Sequence, residues 1–163
     1  MKKDPTYANL RVVRGRGARQ SFGDPYESLV TPGEYTVALA NEQRCVQFRR
    51  PTWETIWLIQ DDGEHFGLPL YCWWRIPDRG TPIRPSHSLA IAYTAATELR
   101  PPRDLARRNP FWFLADSRFR AAVRTVNRNR HGQKRPDAAS YSRVDYLIEL
   151  VAGTPPCLRE RPR

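Results

Sequence analysis

The sequence predicts one mainly β domain: a small five-stranded barrel that carries a helix between its third and fourth strands. Three observations lead there. Five segments are rich in β-branched and aromatic residues and alternate with period two. One stretch, set off by prolines, follows helical spacing instead. And 163 residues that are 40% hydrophobic and 11% aromatic suffice for one domain with a real core.

Thr31-Pro32-Gly33 is a turn, and residues 34–40 after it put Tyr35, Val37 and Leu39 on one face, as a half-buried strand does. Residues 44–48 read as the continuation of a bent first strand. Residues 52–59, Thr-Trp-Glu-Thr-Ile-Trp-Leu-Ile, carry the strongest β signal of the chain. Asp62-Gly63 is a hairpin cue, so the return strand is expected over 64–76, with Leu68, Leu70, Cys72, Trp74 and Ile76 on one face and Tyr71, Trp73 and Arg75 on the other. Ser86 is placed to N-cap a helix over 87–99, which Pro101-Pro102 ends. Residues 104–108 form one further turn before the aromatic run Phe111-Trp112-Phe113. Alternation returns over 118–126, and after a polar loop residues 141–150 fit either a strand or a short helix. The ordered domain is therefore expected over 30–151, with a helical insertion at about 86–116. Residues 1–29 read as a flexible basic arm and 152–163 as a loose tail.

Three β segments in a meander, a helical excursion and two further β segments joined by a basic loop is the layout of an OB-type barrel, which hides its edges by closing. The residues also resemble a family. Pro32-Gly33-Glu34-Tyr35-Thr36-Val37, the Trp/Ile-rich strand ending in Ile59-Gln60-Asp61-Asp62-Gly63-Glu64-His65-Phe66-Gly67, and the return strand resemble phage- and plasmid-encoded single-stranded-DNA-binding proteins of OB-fold type over about residues 32–150. The resemblance implies a single-stranded DNA ligand and a mobile-element setting. The chain departs from it at 77–117, which stand where the family has a short connection.

The charge points the same way. Lys and Arg number 27 against 17 Asp and Glu, a formal +10 with pI near 10.2. Only Lys2, Lys3 and Lys134 are lysines, so the cations are overwhelmingly planar, bidentate guanidiniums. Residues 1–20 sum to +5 and 99–135 to +9, whereas 31–98 sum to −2. A basic protein of this kind has polyanions as natural partners. No apolar run is long enough for a membrane span, the polar start lacks a signal peptide, and Cys45, Cys72 and Cys157 read as reduced thiols. A cytoplasmic protein with neither cofactor nor metal is expected.

Within that frame, Tyr71, Trp73 and Arg75 alternate on one strand face, with rings about 7 Å apart, near the pitch of an unstacked single strand. Stacking is worth about 1–3 kcal/mol per base. Trp53, Trp57 and the Trp112 cluster extend this platform in the functional reading and fill the core in the plain one. Arg118, Arg120 and Arg124 share a face, and Arg128, Arg130, Lys134 and Arg135 follow in the loop, a row of cations able to track phosphates. The expected function is non-catalytic binding of single-stranded nucleic acid. A second reading is a small basic subunit of a nucleoprotein complex, with Phe111, Trp112 and Phe113 as its protein-docking anchor. A third is a Mg²⁺-dependent nuclease using Asp61, Asp62, Glu64 and His65. Oligomeric state stays open, since an unpaired edge strand can add a second copy.

Overall fold

The computed structural model describes residues 29–127, 131–134 and 140–159. It is mainly β. Five strands, β1 (Gly33–Gln47), β2 (Arg50–Ile59), β3 (Pro69–Arg75), β4 (Ser117–Val126) and β5 (Tyr141–Gly153), form a mixed sheet that closes into a ring in the order β1-β2-β3-β5-β4. Four of the five seams are antiparallel; β3 and β5 run parallel. Helices α1 (Ser88–Thr97) and α2 (Phe111–Leu114), with a 3-10 turn at Leu105–Arg107, lie between β3 and β4, and α3 (Pro156–Arg159) follows β5. Among the described residues no helix is long and apolar enough to cross a membrane.

Alternation decides what enters the ring. On β4, Phe119, Ala121 and Val123 are buried, and Arg118, Arg120 and Arg124 are exposed. On β3, Leu70, Cys72 and Trp74 join the core. At its centre Trp57 is fully buried, with Trp74 and Phe119 edge-on at 6.3 and 6.0 Å. Such edge-to-face pairs add about 0.5–1.5 kcal/mol each beyond area burial. The Trp57 indole N–H donates to Thr55 Oγ1 at 3.0 Å, and that hydroxyl donates to the Cys72 carbonyl at 3.1 Å. The buried polar atoms of this aromatic core are thus satisfied. Burial pushes the Cys72 thiol up to about 11, so it stays protonated.

The first strand is a single bent element of 15 residues, with a register shift between Leu39 and Asn41 at the bend. It turns into β2 through Phe48 and Arg49 alone, both at positive φ (49° and 62°), the geometry of a two-residue hairpin turn.

Several expectations are corrected. The return strand begins at Pro69 rather than residue 64. Residues 60–68 form a loop instead, because Gly63 and Gly67 sit at φ 141° and 76° and Asp61 is drawn aside to accept the Thr36 N–H at 2.6 Å. The N-cap of α1 is His87, not Ser86: its Nδ1 accepts the Leu89 N–H at 3.1 Å. The helix stops at Glu98, which turns left-handed at φ 58°, ahead of the two prolines. Residues 141–150, open between strand and helix, belong to a strand that reaches Gly153. The segment expected as a loose tail is folded as far as Arg159. Cys157 is buried, and Arg159 reaches the Asp116 carboxylate at 3.2 Å and the Thr154 carbonyl at 2.7 Å. The basic arm, apart from Leu29, and Arg128, Arg130 and Arg135 lie outside the described residues.

Candidate nucleic-acid interface

Register sets out the outer face of β1, β2 and β3. Directly opposed residues share a face, so Thr52 stands beside Arg75, and the next row runs Gln43, Glu54, Trp73. Glu54 ties that row together. Its Oε1 accepts from Gln43 Nε2 at 2.5 Å and its Oε2 from the Trp73 indole N–H at 2.8 Å. Trp73 is half-buried, backed by the stacked ring of Tyr71 (centroids 5.7 Å, interplanar 20°) and met edge-on by Tyr141 of β5 at 5.6 Å. Two independent stacking rings are therefore not what this face offers. Tyr71 is only 6% exposed and stacks on Trp73, which is the more exposed of the two. Arg75, at the end of β3, is exposed, and its backbone hydrogen-bonds His87. Burial lowers the His87 pKa, keeping neutral the imidazole whose Nδ1 caps α1.

Trp53 does not extend the platform. It is buried, with its indole N–H on the Ala106 carbonyl at 3.0 Å, and belongs to the core beneath the 3-10 turn. The docking anchor is corrected as well. Phe113 is fully buried, Phe111 and Trp112 are half-buried, and Trp112 lies between the ring of Tyr93 (6.1 Å) and the guanidinium of Arg108 (4.2 Å). Asp104 holds Arg108 in place at 3.1 Å. Phe113 and Trp112 pack within the helical insertion, against Tyr93 of α1, rather than stand out from it.

The β4 arginines do share an exposed face, but two of them are engaged there. Arg120 lies 3.9 Å from Glu34 and 3.4 Å from Glu149, and Arg124 lies 2.7 Å from Asp145. Each exposed pair contributes only about 0–1 kcal/mol to stability, yet it cancels local positive potential. β4 borders β1 and β5, never β2 or β3, but Arg124 opposes Arg143 and Arg143 opposes Tyr71, so Arg124 stands two strands from Tyr71 on the same outer face. Lys134 is exposed in the loop before β5.

The proposed nuclease residues have local structural roles: Asp61 caps Thr36, and His65 lies 3.2 Å from Glu64 and edge-on to Tyr35. Among the described residues, no three of His, Cys, Asp and Glu are grouped to hold a metal ion.

One cluster was missed in the sequence. The β1–β2 turn exposes Phe48 (80%) and Val46 (74%), with Arg44, Arg49 and Arg50 exposed around them and no acidic residue from 43 to 53. Summing charge over 31–98 hid three arginines within seven residues. The readable signal was Arg-Cys-Val-Gln-Phe-Arg-Arg, in which alternation runs on to an aromatic with no Asn-Gly to relieve the turn. Unlike Arg120 and Arg124, none of Arg44, Arg49, Arg50 and Arg75 forms an ion pair among the described residues.

No model of a known protein family matches this chain, and neither does any curated protein or solved structure.

Proposed function

We propose that this chain is a non-catalytic binder of single-stranded nucleic acid, DNA in the first instance, on an OB-like barrel. One observation carries the reading: Arg44, Arg49, Arg50 and Arg75, in no ion pair among the described residues, lie on the same hairpin and neighbouring strand as Phe48, 80% exposed, and Trp73, half-buried. Phosphates need unpaired guanidiniums and bases need open π faces, and here both occur within one hairpin and its neighbouring strand. The ring order, with a helix between β3 and β4, supports the OB-like assignment. Contact with all four arginines gives a salt slope of up to about 3, at roughly 0.7 per phosphate neutralised.

The test is a titration of the protein with oligo-dT across a salt series, with rU and duplex competitors. Expected are quenching of tryptophan fluorescence, a steep salt dependence, and loss of about tenfold or more in affinity for Trp73→Leu. Binding that is absent at low salt, or indifferent both to Trp73 and to the hairpin arginines, overturns the proposal.

A further inference from the structure

β1 has neighbours on both sides only over its first half. Its pairing with β4 ends at Ala38, whereas its pairing with β2 runs on to Gln47. Past the bend, β2 flanks one side, and among the described residues no strand flanks the other. The turn fixes which backbone groups face which way. In a two-residue hairpin the flanking residues, here Gln47 and Arg50, form a hydrogen-bonded pair. Positions 43, 45 and 47 therefore address β2, while Arg44 and Val46 direct N–H and C=O to the open edge. Glu42 fits this parity: its N–H is taken by the Asn41 side chain at 2.9 Å. Toward the ring the edge is guarded by that cap and by Asn109, whose amide donates to the Glu42 carboxylate at 2.6 Å. Toward the tip nothing similar protects it among the described residues, and Val46 is 74% exposed.

We propose that a second copy of this chain adds to this edge, antiparallel, about a two-fold axis at Cys45. Three registers align the free backbone groups, and chemistry selects among them. Centring on Arg44 sets like charges directly opposite. Centring on Val46 leaves one full pair, because the next partner, Phe48, has already turned away. Centring on Cys45 sets Arg44 of each copy against Val46 of the other, giving four backbone hydrogen bonds and no like charges opposed. It also carries the basic tip of each copy, Phe48-Arg49, alongside Glu42 of the other, so the charges are complementary. The outer faces become continuous: the row Trp73, Glu54, Gln43 runs on into Gln47 and Arg50 of the second copy. That last consequence rests on the nucleic-acid reading; the pairing itself does not.

Cys45 is a native reporter. At a non-hydrogen-bonded antiparallel pair the two Cα atoms lie about 4.5 Å apart, inside the roughly 4.4–6.8 Å span of a disulfide. Diamide, accepting the two electrons and two protons of two thiols, should give a covalent species of twice 18.9 kDa. Cys72 and Cys157 are buried, so the cross-link should vanish in Cys45→Ser while sedimentation still shows a dimer. Val46→Lys sets a lysine opposite Arg44 at both pairs. It should weaken the dimer about tenfold and suppress the cross-link. Monomers at every concentration, with and without oligo-dT, overturn the proposal, and so does a dimer indifferent to Val46→Lys. Failure of oligonucleotide binding with a Val46-sensitive dimer would instead remove the nucleic-acid reading and leave the pairing intact.

Discussion

Replacing Phe48-Arg49 by Asn-Gly should make the protein more stable and a poorer binder. Both residues hold positive φ, 49° and 62°, without being glycine. An L side chain in the left-handed region costs about 1–2 kcal/mol, and a bulky aromatic there is a genuine outlier. Asn-Gly is the pair such turns favour. Glycine's extra freedom in the unfolded chain returns about 0.5–1 kcal/mol of the gain, so the net is about 1–2 kcal/mol. For a chain of this size that is a rise of about 2–8 °C in melting temperature. Phe48 is 80% exposed, so its removal takes no core contact away. Binding should move the other way. Loss of one stacking ring is worth about 1–3 kcal/mol, and loss of Arg49 should lower the salt slope by about 0.7. Urea melts and oligo-dT titrations of the same preparations read both quantities. A variant that binds as well as the parent, or that is less stable, would refute the idea that the turn keeps strain for the sake of its side chains.

Further outcomes follow from the packing. Gly153→Ala should cost about 3 kcal/mol or more in a urea melt, since a Cβ there would stand 2.2 Å from the Asp116 carbonyl oxygen at a φ of 88°. Trp53→Ala should destabilise by about 3–5 kcal/mol, as expected of a core residue. Arg124→Ala should change stability by less than about 1 kcal/mol despite its 2.7 Å contact with Asp145, because the pair is exposed. The His87 pKa is lowered in the fold, so its contribution is complete above the ordinary histidine value and is lost as pH falls through the folded one. His87→Ala, losing about 1 kcal/mol of cap, should flatten that part of the stability–pH curve.

Period two made most of the sheet legible. The bend of β1, the inward set of β3 and the Phe119/Ala121/Val123 stripe could all be read from alternation, because a ring with one buried side enforces it. What alternation cannot say is how the outer face is shared out. Tyr71 and Trp73 read as two free rings, yet side chains two apart can lean together, and here they stack. Trp53 read as a platform residue although its neighbour across the core is the Ala106 carbonyl, over fifty residues away in sequence. The β4 arginines were readable as a row, but their acids come from two other strands. The hairpin was missed because its turn residues, Phe48 and Arg49 at positive φ, break the usual turn chemistry.

The ring is sewn unevenly. β1 and β2 align over ten residue pairs, whereas β3 and β5 are in register at one, Tyr71 with Arg143. Closure at that seam falls to side chains: Trp73 against Tyr141 spans it, and so does the hydrogen bond between the Cys72 and Arg143 side chains. The same rings therefore serve as a latch. Amide exchange should be fastest there among the strand seams, and an oligonucleotide that wedges those rings apart would be levering at the joint where the circle was closed.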